Sequence, residues 1–225
     1  MNFRLLRLSI LGLAVGLGAF GSIAYYIKHQ AINFNQDIQR QLPELGGPFT
    51  LTDQFGAIRT DDEFRGKYML IYFGYTFCPD VCPLGLRNIS NALQHLGRDL
   101  DQVVPIFITI DPERDDTEAL KSYASTIHSS FVLLTGTPRE LETVFRAYNV
   151  YAAKARPDGT MADYLMDHSS LIYLMNREGK LVDFFPHTAT PQEIAKKFIS
   201  ILFMRKELLT RKNKTALMVK FLKRN

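Results

Sequence analysis

Apolar and polar positions divide the chain into blocks of different period. Residues 8–27 carry no charged side chain, and twenty such residues are enough to cross a bilayer as a helix. Residues 29–45 are mixed and polar and read as a tether, which Gly46-Gly47-Pro48 breaks. Phe49-Thr-Leu51 followed by Asp53-Gln-Phe-Gly56 predicts a short strand and a turn. Tyr68 to Phe73 is an unbroken apolar run, and Val103 to Ile110 is nearly so; both suit strands buried on two faces. Between them Leu84, Leu86, Ile89, Leu93 and Leu96 recur at helical spacing and stop at Gly97. Thr117 caps a helix to about Ile127, Phe131 to Leu134 is a short strand, and Leu141, Val144, Phe145 and Tyr148 mark another helix.

Residues 149–166 are less regular, with a turn signal at Arg156-Pro-Asp-Gly159. Ser170 to Met175 and Lys180 to Phe185 flank Asn176-Arg-Glu-Gly179, the pattern of an antiparallel hairpin. Thr190-Pro191-Gln-Glu193 is a capping signature for a last helix. The order of elements implies parallel early strands joined by right-handed helical crossovers, with an antiparallel hairpin added. The expected fold is α/β: a thioredoxin-like mixed sheet flanked by helices, with an N-terminal transmembrane helix. Its parts are a cytoplasmic end and anchor over 1–28, the tether over 29–45, a domain over 46–204 and a basic tail over 205–225. That tail reads as solvated and frayed.

Charge sharpens the topology. The formal net charge is +4, but the basic excess sits at the ends. Residues 1–28 hold Arg4, Arg7 and Lys28 with no acid, and residues 205–225 hold eight Lys or Arg against Glu207. The stretch between is acidic, so the high isoelectric point does not indicate nucleic acid, and no base-reading motif is visible. Arg4 and Arg7 ahead of the apolar run place the N-terminus in the cytoplasm and the domain across the membrane. Small residues at Ser22 and Ala24 would also suit a cleaved leader, but the apolar run is longer than a leader core. The expected address is a bacterial inner membrane, crossed once, with the domain in the periplasm.

The candidate chemistry lies just after the first buried run. Cys78 and Cys82 are the two cysteines of the chain, too few for a disulfide scaffold. A helix opening near Pro83 puts both thiols at its N-terminal end, where thiolates are stabilised. Paired thiolates suit Cu(I), zinc or a reversible disulfide, and an added imidazole suits Cu(II). Of five histidines, His29 is in the tether, and His95 and His128 have nothing around them that marks a site. His168, in Asp167-His168-Ser169 before the hairpin, and His187, beyond its second strand, both remain candidates for a third ligand.

Taken in order, Gly47-Pro48-Phe49, Tyr72-Phe-Gly-Tyr-Thr-Phe-Cys78-Pro-Asp-Val-Cys82-Pro83, Asp111-Pro-Glu-Arg-Asp115 and Asp167-His168-Ser169 resemble the SCO/SenC family. These are membrane-anchored copper proteins of cytochrome c oxidase assembly, and the resemblance runs from about residue 46 to 200. It implies Cys78 and Cys82 as copper thiolates and His168 as the copper imidazole. It matches Asp111 to an acidic loop residue near that site, though a turn or helix-start role explains Asp111 equally well. It further implies a metallochaperone, not an enzyme, that takes copper from an upstream donor and delivers it to the Cu-A site of cytochrome c oxidase subunit II. The alternative is a thiol–disulfide oxidoreductase that reduces the cysteines of that same site, with Cys78 and Cys82 as its redox pair.

Overall fold

A computed structural model describes Ser22 and residues 45–155 and 164–222. The apolar run at 8–27 lies outside the described residues but for Ser22. So do His29, the tether up to residue 44 and the turn at 156–159. The chain divides into two units, Met1–Pro43 and Glu44–Asn225, and both β-sheets belong to the second. No helix among the described residues is long and apolar enough to cross a membrane.

The second unit begins with a small hairpin, β1 (Thr50–Asp53) and β2 (Ile58–Thr60). The buried run becomes β3 (Tyr68–Gly74), all seven of whose residues are buried. It leads to helix α1 (Val81–Gln94), then β4 (Val103–Thr109), α2 (Thr117–Ala124), β5 (Val132–Thr135) and α3 (Pro138–Tyr148). Two strands follow, β6 (Ala152–Ala155) and β7 (Leu165–His168), and pair as a separate two-stranded ribbon. The hairpin β8 (Leu171–Met175) and β9 (Leu181–Pro186) precedes the last helix, α4 (Pro191–Leu222).

The main sheet has the order β2-β1-β5-β4-β3-β8-β9. β3 pairs in parallel with β4, and β4 with β5, as the strand–helix–strand pattern requires. The other pairings are antiparallel, so the sheet is mixed with an antiparallel majority.

Alternation along β3 sends side chains to two layers. Tyr68 meets Phe198 of α4 edge-on at 5.2 Å, and the Tyr72 ring lies over Gly85 of α1. Phe73 faces the opposite way and packs against Phe145 and Tyr148 of α3. The thioredoxin-like layout places the carboxyl end of β3 against the N-terminus of α1, where open α/β sheets present their sites.

Three sequence expectations change. α2 stops at Ala124 rather than near Ile127, where a 3-10-type turn sets in with Ser125 and Thr126 bonding back to Ser122 and Tyr123. The irregular stretch before the hairpin contains β6 and β7, too short and half-exposed to show an alternating pattern. The basic tail is helical through Leu222, as a continuation of α4. The capping box expected at Thr190 and Glu193 is present: the Thr190 amide donates to Glu193 Oε2 at 2.8 Å and the Glu193 amide to Thr190 Oγ1 at 3.3 Å.

Gly74 ends β3 at a tightly packed point of the core. A Cβ there would meet Cys82 Sγ at 2.8 Å, Phe107 Cε2 at 3.0 Å and Tyr72 Cε1 at 3.1 Å. None of these can retreat, because all three side chains are fully buried. Gly74→Ala is therefore expected to destabilise the domain by about 1–3 kcal/mol through overpacking. A urea midpoint unchanged from the parent would contradict it.

Candidate metal centre

The site forms where β3 runs out. Residues 75–80 make a short loop, and Val81 starts α1. The cap residue Asp80 makes no side-chain bond to the helix. Instead the Cys82 amide, one of the free N–H groups of the first turn, donates to Cys78 Sγ at 3.4 Å. The sulfur thus does the work of a cap, and the positive end of the helix favours it as an anion.

The two thiols differ. Cys82 is wholly buried and Cys78 is 7% exposed. The Cys78 thiol is pulled well below its ordinary range, first by the hydrogen bond from the Cys82 side chain, then by His168 and by backbone amides, against the opposing effect of burial. Cys82 moves the other way, because it faces that thiolate and is desolvated. The helix-end amide on Cys78 Sγ favours the anion of the pair on Cys78.

Two further anchors set the loop. Asp115, buried at the end of the turn before α2, accepts hydrogen bonds from the Thr76 amide at 3.0 Å, from Thr76 Oγ1 and from Thr109 Oγ1 at 2.6 Å. Burial pushes its carboxyl up, while the bonds from Thr109 and Thr76 pull it back. On the other side Tyr72 donates to the Val81 carbonyl at 3.3 Å. Burial, and after it the charge of the cysteine pair, drives the Tyr72 hydroxyl far up, so it stays neutral.

His168 closes β7 and comes from the ribbon, not from the main sheet. Its Nε2 lies 3.5 Å from Cys82 Sγ. Its Nδ1 lies 3.2 Å from the Ser169 carbonyl, which can only accept. That bond assigns the ring proton to Nδ1 and leaves the Nε2 lone pair facing the thiols. Tyr72 and Tyr75 stand edge-on to the imidazole, with centroids 6.4 and 6.0 Å away.

Among the described residues, Cys78, Cys82 and His168 are the one group of three or more ligating side chains gathered for a metal, with donor atoms all within 4.8 Å of one another. Three donors around one ion at about 2.0–2.3 Å would lie about 3.5–4.0 Å apart. The set thus needs only about an ångström of closure to fit a soft ion. The other histidines are elsewhere. His95 caps the end of α1 and is exposed. His128 is held by Ser130, with Nδ1 2.8 Å from Oγ. His187 is tied through its backbone to Ser170 and Asn88.

Asp111 is buried and bonded to Arg114 and Tyr164, in the loop beside the cysteines. Thr76, Asp115 and Arg114 had no assigned role in the sequence. The one signal for them is an acid–arginine–acid run at the end of a buried strand.

Several known proteins are similar to this chain. The SCO1/SenC family model matches residues 37–202. An SCO2-like protein of Rickettsia prowazekii is 37% identical over 192 residues, spanning 84% of this chain and 93% of its own. The human mitochondrial SCO1 homolog is also 37% identical, over 81% of this chain and 62% of its own. Among solved structures, copper-bound ScoI of Bradyrhizobium japonicum is 48% identical, covers 68% of this chain and 96% of its own, and superposes with a TM-score of 0.63. Copper-bound yeast Sco1 is 38% identical, over 70% of this chain and 88% of its own, with a TM-score of 0.64.

The asymmetry of the thiols is directly testable, since the thiolate is the form that reacts. In reduced, metal-free protein at pH 6, Cys78 is expected to alkylate with iodoacetamide at least about tenfold faster than Cys82, one pKa unit being a factor of ten. Equal rates by peptide mass spectrometry would refute the assignment.

Proposed function

The chain belongs to the SCO1/SenC family, and from that premise we propose that it binds one copper ion through Cys78, Cys82 and His168 and passes it on during cytochrome c oxidase assembly. The observation that carries this reading is the convergence of two thiol sulfurs and one imidazole nitrogen within 4.8 Å. Soft sulfur donors select Cu(I), and the imidazole extends the set to Cu(II). Binding draws the thiol protons off, so uptake releases protons.

The chain's own residues supply a graded grip on this cargo. Cys82 is buried, on a helix locked against β3. Cys78 is the less buried of the two thiols, the one an incoming thiolate meets first. His168 sits on a ribbon outside the sheet and is the ligand most readily withdrawn. Exchange of ligands one at a time, ending at Cys82, lets a tightly bound ion leave without ever being free. The acceptor in this reading is the Cu-A site of oxidase subunit II, with an upstream copper protein as donor. Residues 8–27 anchor the protein in the bacterial inner membrane, with the domain in the periplasm.

A second reading rests on the unequal thiols. A reactive Cys78 beside a protonated Cys82 is the polarity of a dithiol reductant. Cys78 Sγ would attack a disulfide of the target and expel one target thiolate. Cys82 would then lose its proton and attack Cys78, releasing the second thiol and leaving a Cys78–Cys82 disulfide. His168 neither forms nor breaks a bond in that exchange, and its part is confined to helping lower the Cys78 thiol.

The periplasmic domain is expected to hold one copper per chain, with thiolate-to-Cu(II) charge-transfer bands. Cys78→Ala should lose stoichiometric copper. His168→Ala should alter those bands and weaken Cu(II) binding by more than the roughly 10–100-fold that losing an outer-sphere partner costs. Full copper retention in Cys78→Ala would defeat the copper reading. Oxidase assembly that survives His168→Ala, with copper lost and reductase activity kept, would favour the second.

A further inference from the structure

The ribbon that carries His168 has little of its own to hold it. Its two strands have four residues each and lie outside the seven-stranded sheet. An isolated two-stranded ribbon is marginal in water. Yet His168 Nε2 is held 3.5 Å from Cys82 Sγ.

Tyr75 of the cysteine loop stands edge-on to the His168 ring at 6.0 Å, and a second side chain also spans the gap between ribbon and loop. Arg114, in the turn after β4, stacks its guanidinium 3.7 Å over the ring of Tyr164, the residue that leads into β7. Its Nη1 donates to the Tyr164 carbonyl at 3.0 Å, and its Nε pairs with Asp111. Asp111 in turn accepts from the Tyr164 hydroxyl at 2.8 Å. On its other side the same guanidinium lies 5.0 Å from the ring of Phe77 and 5.7 Å from that of Tyr75, both in the loop that delivers Cys78. Nη2 is buried with no hydrogen-bond partner among the described residues. The group is thus placed by its rings and by Asp111, not by satisfying every donor.

From this juxtaposition we infer that Arg114 is a positioning residue for the metal site: it clasps Tyr164, and through it the His168 strand, to the cysteine loop. The planar fork is what the task needs. It bonds a carboxylate and a carbonyl from one rigid fork while presenting a flat face to aromatic rings, whereas a lysine keeps only the charge against the carboxylate. Asp111 is buried, so the pair is stiff. The other tie from this loop to the ribbon, Lys154 to Glu113 at 2.6 Å, is exposed and contributes little.

The inference rests on His168 being a ligand, so its test needs one readout with metal and one without. Arg114→Lys keeps the charge against Asp111 and loses the fork. In metal-free Arg114→Lys, amide exchange of residues 165–168 is expected to rise about tenfold, the cost of one charge-assisted bond, with β3 and β4 unchanged. Loaded with Cu(II), it should lose the nitrogen coupling in its electron paramagnetic resonance spectrum and approach the spectrum of His168→Ala, while still holding copper on sulfur. The double variant Asp111→Asn/Arg114→Met, which leaves no unpaired buried charge, should do the same. Parental exchange rates in both variants would overturn the inference. If His168→Ala itself has the parental spectrum, the ligand assignment fails instead, and the metal-free exchange rates still decide the role of Arg114.

Discussion

At the carboxyl end of β3 a thiol occupies the place of a helix cap. The first turn of α1 has no capping side chain from Asp80, and its Cys82 amide points at Cys78 Sγ instead. A helix start left without a partner costs stability, so the fold favours a negative sulfur there before any metal arrives. The same contact explains why two chemically identical thiols differ. One is stabilised as an anion by the helix and by its neighbour, and the other is buried beside that anion and keeps its proton.

The packing around this contact makes it rigid. Gly74 lets Cys82 Sγ approach the strand, and Gly85 lets the Tyr72 ring lie flat between strand and helix. Asp115 ties Thr76 to the end of β4 with a carboxylate whose pKa burial raises and these bonds lower. Such a buried polar cluster is costly if half-satisfied and stiff when complete, and here three donors complete it.

The site is therefore built in two halves of unequal firmness. The cysteine half belongs to the core, between a fully buried strand and a helix anchored on it. The histidine half is borne by a small ribbon and reaches the core chiefly through Arg114, Asp111 and Tyr164. A carrier of a metal cargo has to hold and release the same ion. Placing one ligand on a weaker element meets both demands, because that ligand can leave without disturbing the sheet.

Local pattern was enough for most of the frame. The buried runs of β3 and β4, the helical spacing of α1 and α3, the hairpin of β8 and β9 and the capping box at Thr190 are each specified by neighbours in the chain. The cysteine loop was legible for the same reason, since both thiols lie within five residues of one strand-to-helix junction. Position along the chain favoured His168 over His187 without settling the choice; resemblance pointed to His168, and folding brings its ring to the thiols. Nor did anything local announce β6 and β7, whose short, half-exposed strands derive their order from contacts with distant loops. Arg114 stood in plain view inside an acidic motif, but its meaning depends on an aromatic ring fifty residues away. Periodicity and turn chemistry act between near neighbours, and so the sequence by itself determined the strands, the helices and the thiol pair. The meeting of imidazole with sulfur, and the guanidinium that keeps them together, depend on contacts across the chain that only the packed tertiary structure decides.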